Sequence, residues 1–135
     1  MFWRWRRWDA RPAARVAGAL YAAARRADTA EAKALRLLRV WLSPEQRADF
    51  DSRRYFDVIG NASGRWYRIY HRPSMNVYEL ETKIGWCFAP AGRLVPGDVM
   101  LAQKIALETS ELQVRAIANQ FNPAALQGGP MRLGQ

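Results

Sequence analysis

One cysteine and one histidine are all that this 135-residue chain offers to disulfide or soft-metal chemistry. Cys87 has no partner within the chain for a bridge, and Cys87 with His71 falls two ligands short of a Cys/His zinc site. No run of 18 apolar residues occurs, so no ordinary spanning helix is expected. There is no G-x-G-x-x-G and no lysine-bearing phosphate loop; the glycines at 60, 64, 85, 92 and 97 each stand where a turn is expected. These absences leave no cofactor, no metal and no small-molecule substrate in the expectation. A reducing compartment such as the cytoplasm is the simplest setting, with a membrane-peripheral or virion-like location as the alternatives.

Positive charge, by contrast, is plentiful and unevenly placed. The formal net charge is +9. Residues 1–41 hold ten Arg or Lys against three acids, whereas residues 42–135 hold eleven against nine. The chain opens MFWRWRRW, in which Trp3, Trp5 and Trp8 interleave with Arg4, Arg6 and Arg7, and Arg11 and Arg15 follow closely. Guanidinium pairs with phosphate in a forked geometry, and indole stacks on bases or rests at a lipid headgroup boundary. Residues 1–11 therefore read as a basic aromatic arm for an anionic partner. Nucleic acid or a nucleoprotein comes first, a membrane surface second and a protein complex third. The bland alternative is that the tryptophans cap the protein's own core. A basic start before VAGALYAAA also has the outline of a secretory leader, yet that run is short and holds a single leucine.

The rest of the chain, half hydrophobic and 24% charged, has the length and composition of one domain, placed at 12–121, with an irregular tail at 122–135. Its centre is a meander over about 55–88. Alternation puts Phe56 and Val58 on one face, and Tyr67 and Ile69 on one face of the next run. Pairing 56 with 69 and 58 with 67 leaves a four-residue loop, Asn61 to Gly64, and sets Asp57 opposite Arg68. Pairing 69 with 78 and 67 with 80 then buries Tyr78 and Leu80 and sets Glu79 opposite Arg68 from the other side. The expected row is Asp57–Arg68–Glu79 on an outer face. Trp66, Arg68, Tyr70 and Arg72 share that face and form a secondary candidate surface, because aromatics alternating with arginines on a sheet suit base stacking. Asp57, Glu79 and Glu81 are expected to offset much of its charge.

Helices flank the meander. From Pro12 an alanine-rich amphipathic helix carries Ala13, Val16, Ala17, Leu20 and Ala24 on one face and Arg11, Arg15, Arg25 and Arg26 roughly opposite. Residues 27–29 are expected to break it, with Thr29 capping a second helix that buries Leu35, Leu38 and Leu42 and wets Lys33, Arg36 and Arg39. Ser43, Pro44 and Gln46 form a capping box for a short helix ending near Arg53. After a loop from Pro90 to Gly97, Asp98 caps a helix interrupted at Thr109 and Ser110. A last helix then carries Leu112, Ala116, Ile117 and Phe121. The fold class is α+β: N-terminal helices, a three- to four-stranded antiparallel meander and two C-terminal helices.

The spaced pieces PEQR, YFDVIG, GRWYRIY, NVYELE, the adjacent Trp86 and Cys87, PGDVMLAQKIALET and AIANQF resemble a pattern found in small, uncharacterised bacterial and phage-associated proteins. The resemblance covers roughly residues 42–121 and implies no activity, cofactor or site residue. Enzyme patterns find little support in the residues themselves. His71 and Cys87 sit on different strands with one strand between them, and Arg68 between Asp57 and Glu79 would hold both acids ionised. The expectation is a non-enzymatic interaction or structural module that docks through its arm, with a small enzyme as the third class.

Overall fold

The computed structural model describes residues 11–127, so the tryptophans and arginines at positions 3–8 lie outside the described residues. Nine elements follow in order: α1 (Arg11–Trp41), α2 (Pro44–Arg53), β1 (Tyr55–Ile59), β2 (Trp66–Tyr70), β3 (Val77–Glu79), β4 (Gly85–Cys87), α3 (Pro96–Ile117), β5 (Asn119–Phe121) and α4 (Pro123–Gln127). The strands form one antiparallel sheet in the order β1-β2-β3-β4-β5. The α+β class is as the sequence indicated. The C-terminal part of α1, α2 and α3 cover one face of the sheet, burying Leu38, Phe50, Met100 and Leu107 against Phe56, Tyr67 and Ile69.

The first correction is that α1 is one helix of 31 residues, not two. Thr29 does not cap anything: its Oγ1 donates to the Arg25 carbonyl at 2.8 Å, a bond made inside a continuing helix. Alanines on both sides of it supply the helix propensity that holds the segment together. Residues 16, 20 and 24 precede 34, 38 and 42 by about five turns, so they lie on the same stripe. Ala34, Leu38 and Leu42 are buried, whereas Val16 and Leu20 are 61% and 66% exposed. The body takes hold of α1 only at Glu31, whose carboxylate accepts from the Gly97 N–H and bonds His71 Nε2 at 2.9 Å. The helix upstream of it extends about 30 Å from this anchor.

The capping box at α2 is present, with Ser43 Oγ accepting from the Gln46 N–H and Gln46 Oε1 accepting from the Ser43 N–H. The β1–β2 register is also as read: Phe56 faces Ile69, Asp57 faces Arg68 and Val58 faces Tyr67. The β2–β3 register is not. Ile69 pairs with Val77, Arg68 with Tyr78 and Tyr67 with Glu79, a shift of one residue from the expectation. Tyr70 donates its N–H to the Asn76 carbonyl, so the turn spans residues 71–75, one longer than expected, and Met75 adopts a left-handed φ of 50°. Every side chain of β3 therefore changes face. Val77 and Glu79 point into the core and are fully buried, while Tyr78 joins the outer face.

Glu79 tolerates this burial because donors surround it. Arg65 Nη1 (2.6 Å) and Arg115 Nη1 (3.1 Å) reach Oε1, and Thr82 Oγ1 (2.7 Å) and Trp86 Nε1 (3.3 Å) reach Oε2. Arg115 also donates to the Tyr67 hydroxyl at 2.9 Å, and Tyr67 donates to Glu111 Oε2 at 2.6 Å. Glu111, equally buried, further accepts from the Ala62 N–H, the Ser63 N–H and the Ser63 hydroxyl. Burial alone would raise both carboxyls, and these donors outweigh it, leaving both below their ordinary value. Burial and the Glu111 carboxylate push the Tyr67 hydroxyl up to about 12.

The C-terminal half departs from expectation in four places. Helix α3 starts at Pro96 behind Val95, and Asp98 lies in its first turn instead of capping it. The break at Ser110 is present as a kink (φ −148°, ψ 41°), but Asn61 from the β1–β2 loop closes it: Asn61 Oδ1 accepts from the Glu111 N–H, and Asn61 Nδ2 donates to the Thr109 carbonyl. The kink resets the helix face, so Glu111 and Val114 turn inward, while Leu112 and Ile117 are 69% and 77% exposed. The chain leaves the helix at Ala118, and Phe121 lies on β5, paired with Gly85 of β4. A Cβ at Gly85 would collide with the Phe121 ring, so glycine is what admits this strand. Residues 123–127, assigned to the irregular tail, form α4.

Two outcomes follow. Leu38→Ala should destabilise by about 2–5 kcal/mol in chemical denaturation, whereas Leu20→Ala, on the same stripe, should stay within about 0.5 kcal/mol. Because Glu79 and Glu111 lie below their ordinary value of 4.5, their contribution is complete above that pH and is lost as the pH falls through their lowered folded values. Denaturation midpoints should thus drop steadily on acidification below about 4.5. Glu111→Gln should be less stable at pH 7 and lose less on acidification; a flat wild-type profile would contradict the network.

Candidate anion-binding interface

Five arginine and lysine side chains of the body are engaged by its own acids and carbonyls. Arg68 grips Asp57 through Nε (2.8 Å) and Nη2 (3.1 Å), and Arg65 and Arg115 close on Glu79. Lys104 pairs with Glu108, and Arg47 donates to the carbonyls of Arg39 and Leu42 where α1 ends. Helix α1 is different, apart from Arg39, which pairs with Asp51. Arg15, Arg25, Arg26, Lys33 and Arg36 are all exposed, and none makes an ion pair among the described residues. At 100° per residue they fall within about a third of the helix circumference, and from Arg15 to Arg36 they extend about 31 Å along the axis. They lie opposite the stripe that seats the helix on the body, so the seating that buries Ala34, Leu38 and Leu42 is also what turns the cations outward.

At its body end the stripe reaches aromatic and apolar surface. Trp41 is 56% exposed and Val40 74% exposed, and Arg36, Arg39, Val40 and Arg47 line a shallow cleft of about 300 Å³. A second cleft of about 360 Å³ lies among Arg25, Arg26, Thr29, Ala30 and Lys33. Of the residues singled out from the sequence, Arg15 belongs to this surface and Arg11 opens the helix that carries it, its side chain lying outside the described residues; Trp3, Arg4, Trp5, Arg6, Arg7 and Trp8 precede it, also outside them. Arg25, Arg26, Lys33 and Arg36 extend it, with Trp41 beside its body end. Their helical spacing from Arg15 was legible; reading two helices instead of one broke the stripe in half.

The secondary surface is a different object from the one expected. Tyr55, Tyr70, Tyr78 and Phe121 form a chain of ring contacts across the outer sheet face, with centroids 5.3, 4.9 and 5.8 Å apart. Arg68 lies over the Tyr55 ring at 4.0 Å while holding Asp57, which raises its proton affinity above the ordinary arginine value. Arg72 lies over Tyr70 at 4.8 Å and donates to the Tyr78 hydroxyl at 2.8 Å. Glu79 is absent from this face, so the expected three-residue row reduces to one bidentate pair. The ring faces that would stack a base are already occupied by neighbouring rings and guanidinium groups. Only Trp66, 46% exposed, keeps an open indole there.

Strand β3 lies between β2, which His71 follows, and β4, which carries Cys87, and His71 bonds Glu31 instead. Among the described residues no three His, Cys, Asp or Glu side chains gather as a metal site, and no helix is long and apolar enough to cross a membrane. No protein-family model, curated protein or solved structure matches the chain at a significant level. The likeness over residues 42–121 therefore rests on scattered residues alone, and the surface has to be read from its chemistry.

If the outer-face cations serve the sheet, Arg68→Ala should lower stability by about 1 kcal/mol and leave binding to any polyanion unchanged. A large loss of binding with intact folding would move the interface to the sheet.

Proposed function

We propose that the chain is a non-enzymatic docking module for nucleic acid or a nucleoprotein, gripping phosphates with the outward stripe of α1 and with the arm that precedes it. The observation that carries this reading is the division of charge. Five of the body's cations, Arg47, Arg65, Arg68, Lys104 and Arg115, are turned onto its own acids and carbonyls, while five on α1 share one exposed face without an ion-pair partner among the described residues. A row of about 31 Å suits a backbone of regularly spaced phosphates better than a compact anion. Such contacts position a polymer without reading its sequence, so the expected binding is salt-dependent and weakly selective. The arm adds three arginines for phosphates and three tryptophans for bases.

A second reading has its own support. Val16, Leu20 and Tyr21 are exposed on the free part of α1, and an apolar stripe opposite a basic face is the pattern of a helix lying on an anionic membrane. It ranks second because Ala17, Ala24 and Ala27 fill much of that stripe and would bury little apolar area.

Titration of the full chain with a short duplex and a single strand at several salt concentrations separates the two. Nucleic-acid affinity should fall steeply with salt. Replacing Arg15, Arg25, Arg26, Lys33 and Arg36 by Gln should flatten the log–log slope by up to about 4 units, and replacing Arg4, Arg6 and Arg7 by up to about 3. Affinity that ignores both sets, or vesicle binding that survives high salt while nucleic-acid binding is absent, would overturn the first reading.

A further inference from the structure

On the side of the molecule built by α2 and the edge strand β1 lies a groove of about 580 Å³ with the opposite chemistry to α1. Its floor is apolar: Val58, and the directly paired Ile59 and Trp66, each of the latter two 46% exposed. Its rim is acidic, with Glu45 and Asp49 from α2, Asp57 from β1 and Glu108 from α3. Asp57 is held by Arg68 and Glu108 by Lys104, while Glu45 and Asp49 make no ion pair among the described residues. An exposed indole beside uncompensated carboxylates suits a ligand that is cationic and aromatic together: guanidinium for the rim, a flat ring for the floor.

The chain itself contains such a segment, FWRWRRW at residues 2–8. We propose that the groove receives this arm from a second copy of the chain. Reach excludes the arm of the same copy. Helix α1 has 31 residues and is about 45 Å long, and the groove residues Ser43, Glu45, Gln46 and Asp49 follow its far end. The ten residues before α1, fully extended, reach at most about 36 Å. Each copy thus offers one arm and one groove on separate surfaces, a heterologous contact that propagates head to tail or closes into a ring. The contact does not depend on the nucleic-acid reading, but it uses the same arginines, so a polyanion and a neighbouring copy compete for the arm.

The test is the mass of the full chain, freed of nucleic acid, by sedimentation equilibrium over a range of concentrations at low and high salt. The wild type should associate with concentration, more weakly at high salt. Groove reversal by Glu45→Lys with Asp49→Lys, or arm reversal by Arg4→Glu, Arg6→Glu and Arg7→Glu, should each weaken association at least about tenfold. Combining the two reversals should restore it, which only a folded groove can do. Trp66→Ala should weaken it without changing its salt dependence. A wild type that stays monomeric overturns the proposal, as does association that survives either reversal alone or fails to return in the combined variant.

Discussion

The clasp between Asn61 and Glu111 holds this fold in its observed shape. A helix broken at Ser110 leaves backbone N–H and C=O groups without their partners in the preceding or following turn. Asn61 meets them from the hairpin loop, accepting from the Glu111 N–H and donating to the Thr109 carbonyl. Glu111 returns the favour with its side chain, fixing the loop through the Ala62 and Ser63 N–H groups. Gly60 makes room for that carboxylate, since a Cβ there would collide with it. The kink, the loop and the first hairpin are therefore one cooperative unit, and the direction of the chain after Ser110 follows from it.

The same network reaches the sheet. Tyr67 links Glu111 to Arg115, and Arg115 with Arg65 neutralises Glu79. Removing one partner from such a buried set leaves a charge without compensation, which costs far more than an exposed pair contributes. Glu79 thereby fixes the β2–β3 register, because a slip by one residue would carry it to the outer face and strand two guanidinium groups. Polar groups inside this small core act as a key to one arrangement, with Asn76 and Gln103 playing the same part between the sheet and α3.

This economy of charge inside the body is what gives α1 its character. With Arg47, Arg65, Arg68, Lys104 and Arg115 turned onto the body's own acids and carbonyls, the stripe on the long helix stands out as a row of exposed cations without ion pairs among the described residues. The acidic groove by Trp66 faces a different direction and has the complementary chemistry. The proposed function and the proposed contact between copies both draw on this contrast of surfaces.

Much of this was legible in the residues. Alternation over 56–58 and 67–69 fixed the first hairpin to the residue, since a four-residue loop and two buried pairs admit one register. Ser43, Pro44 and Gln46 announced α2, and the uneven charge announced a basic N-terminal region, because capping and net charge are local properties. Where the residues pointed two ways, tertiary contacts decided. In Val77–Leu80 apolar side chains occur on both faces, so the choice fell to Arg65 and Arg115, which come from elsewhere in the chain. Asp28 and Thr29 resemble a helix break locally, yet the helix runs through them. Phe121 has the spacing of a helical core residue, but the open edge of β4 and the space above Gly85 draw it into a strand. Sequence determined the patterns that depend on neighbours a few residues apart; the structure decided each place where two patterns were equally good locally and only a distant donor, edge or cavity could tell them apart.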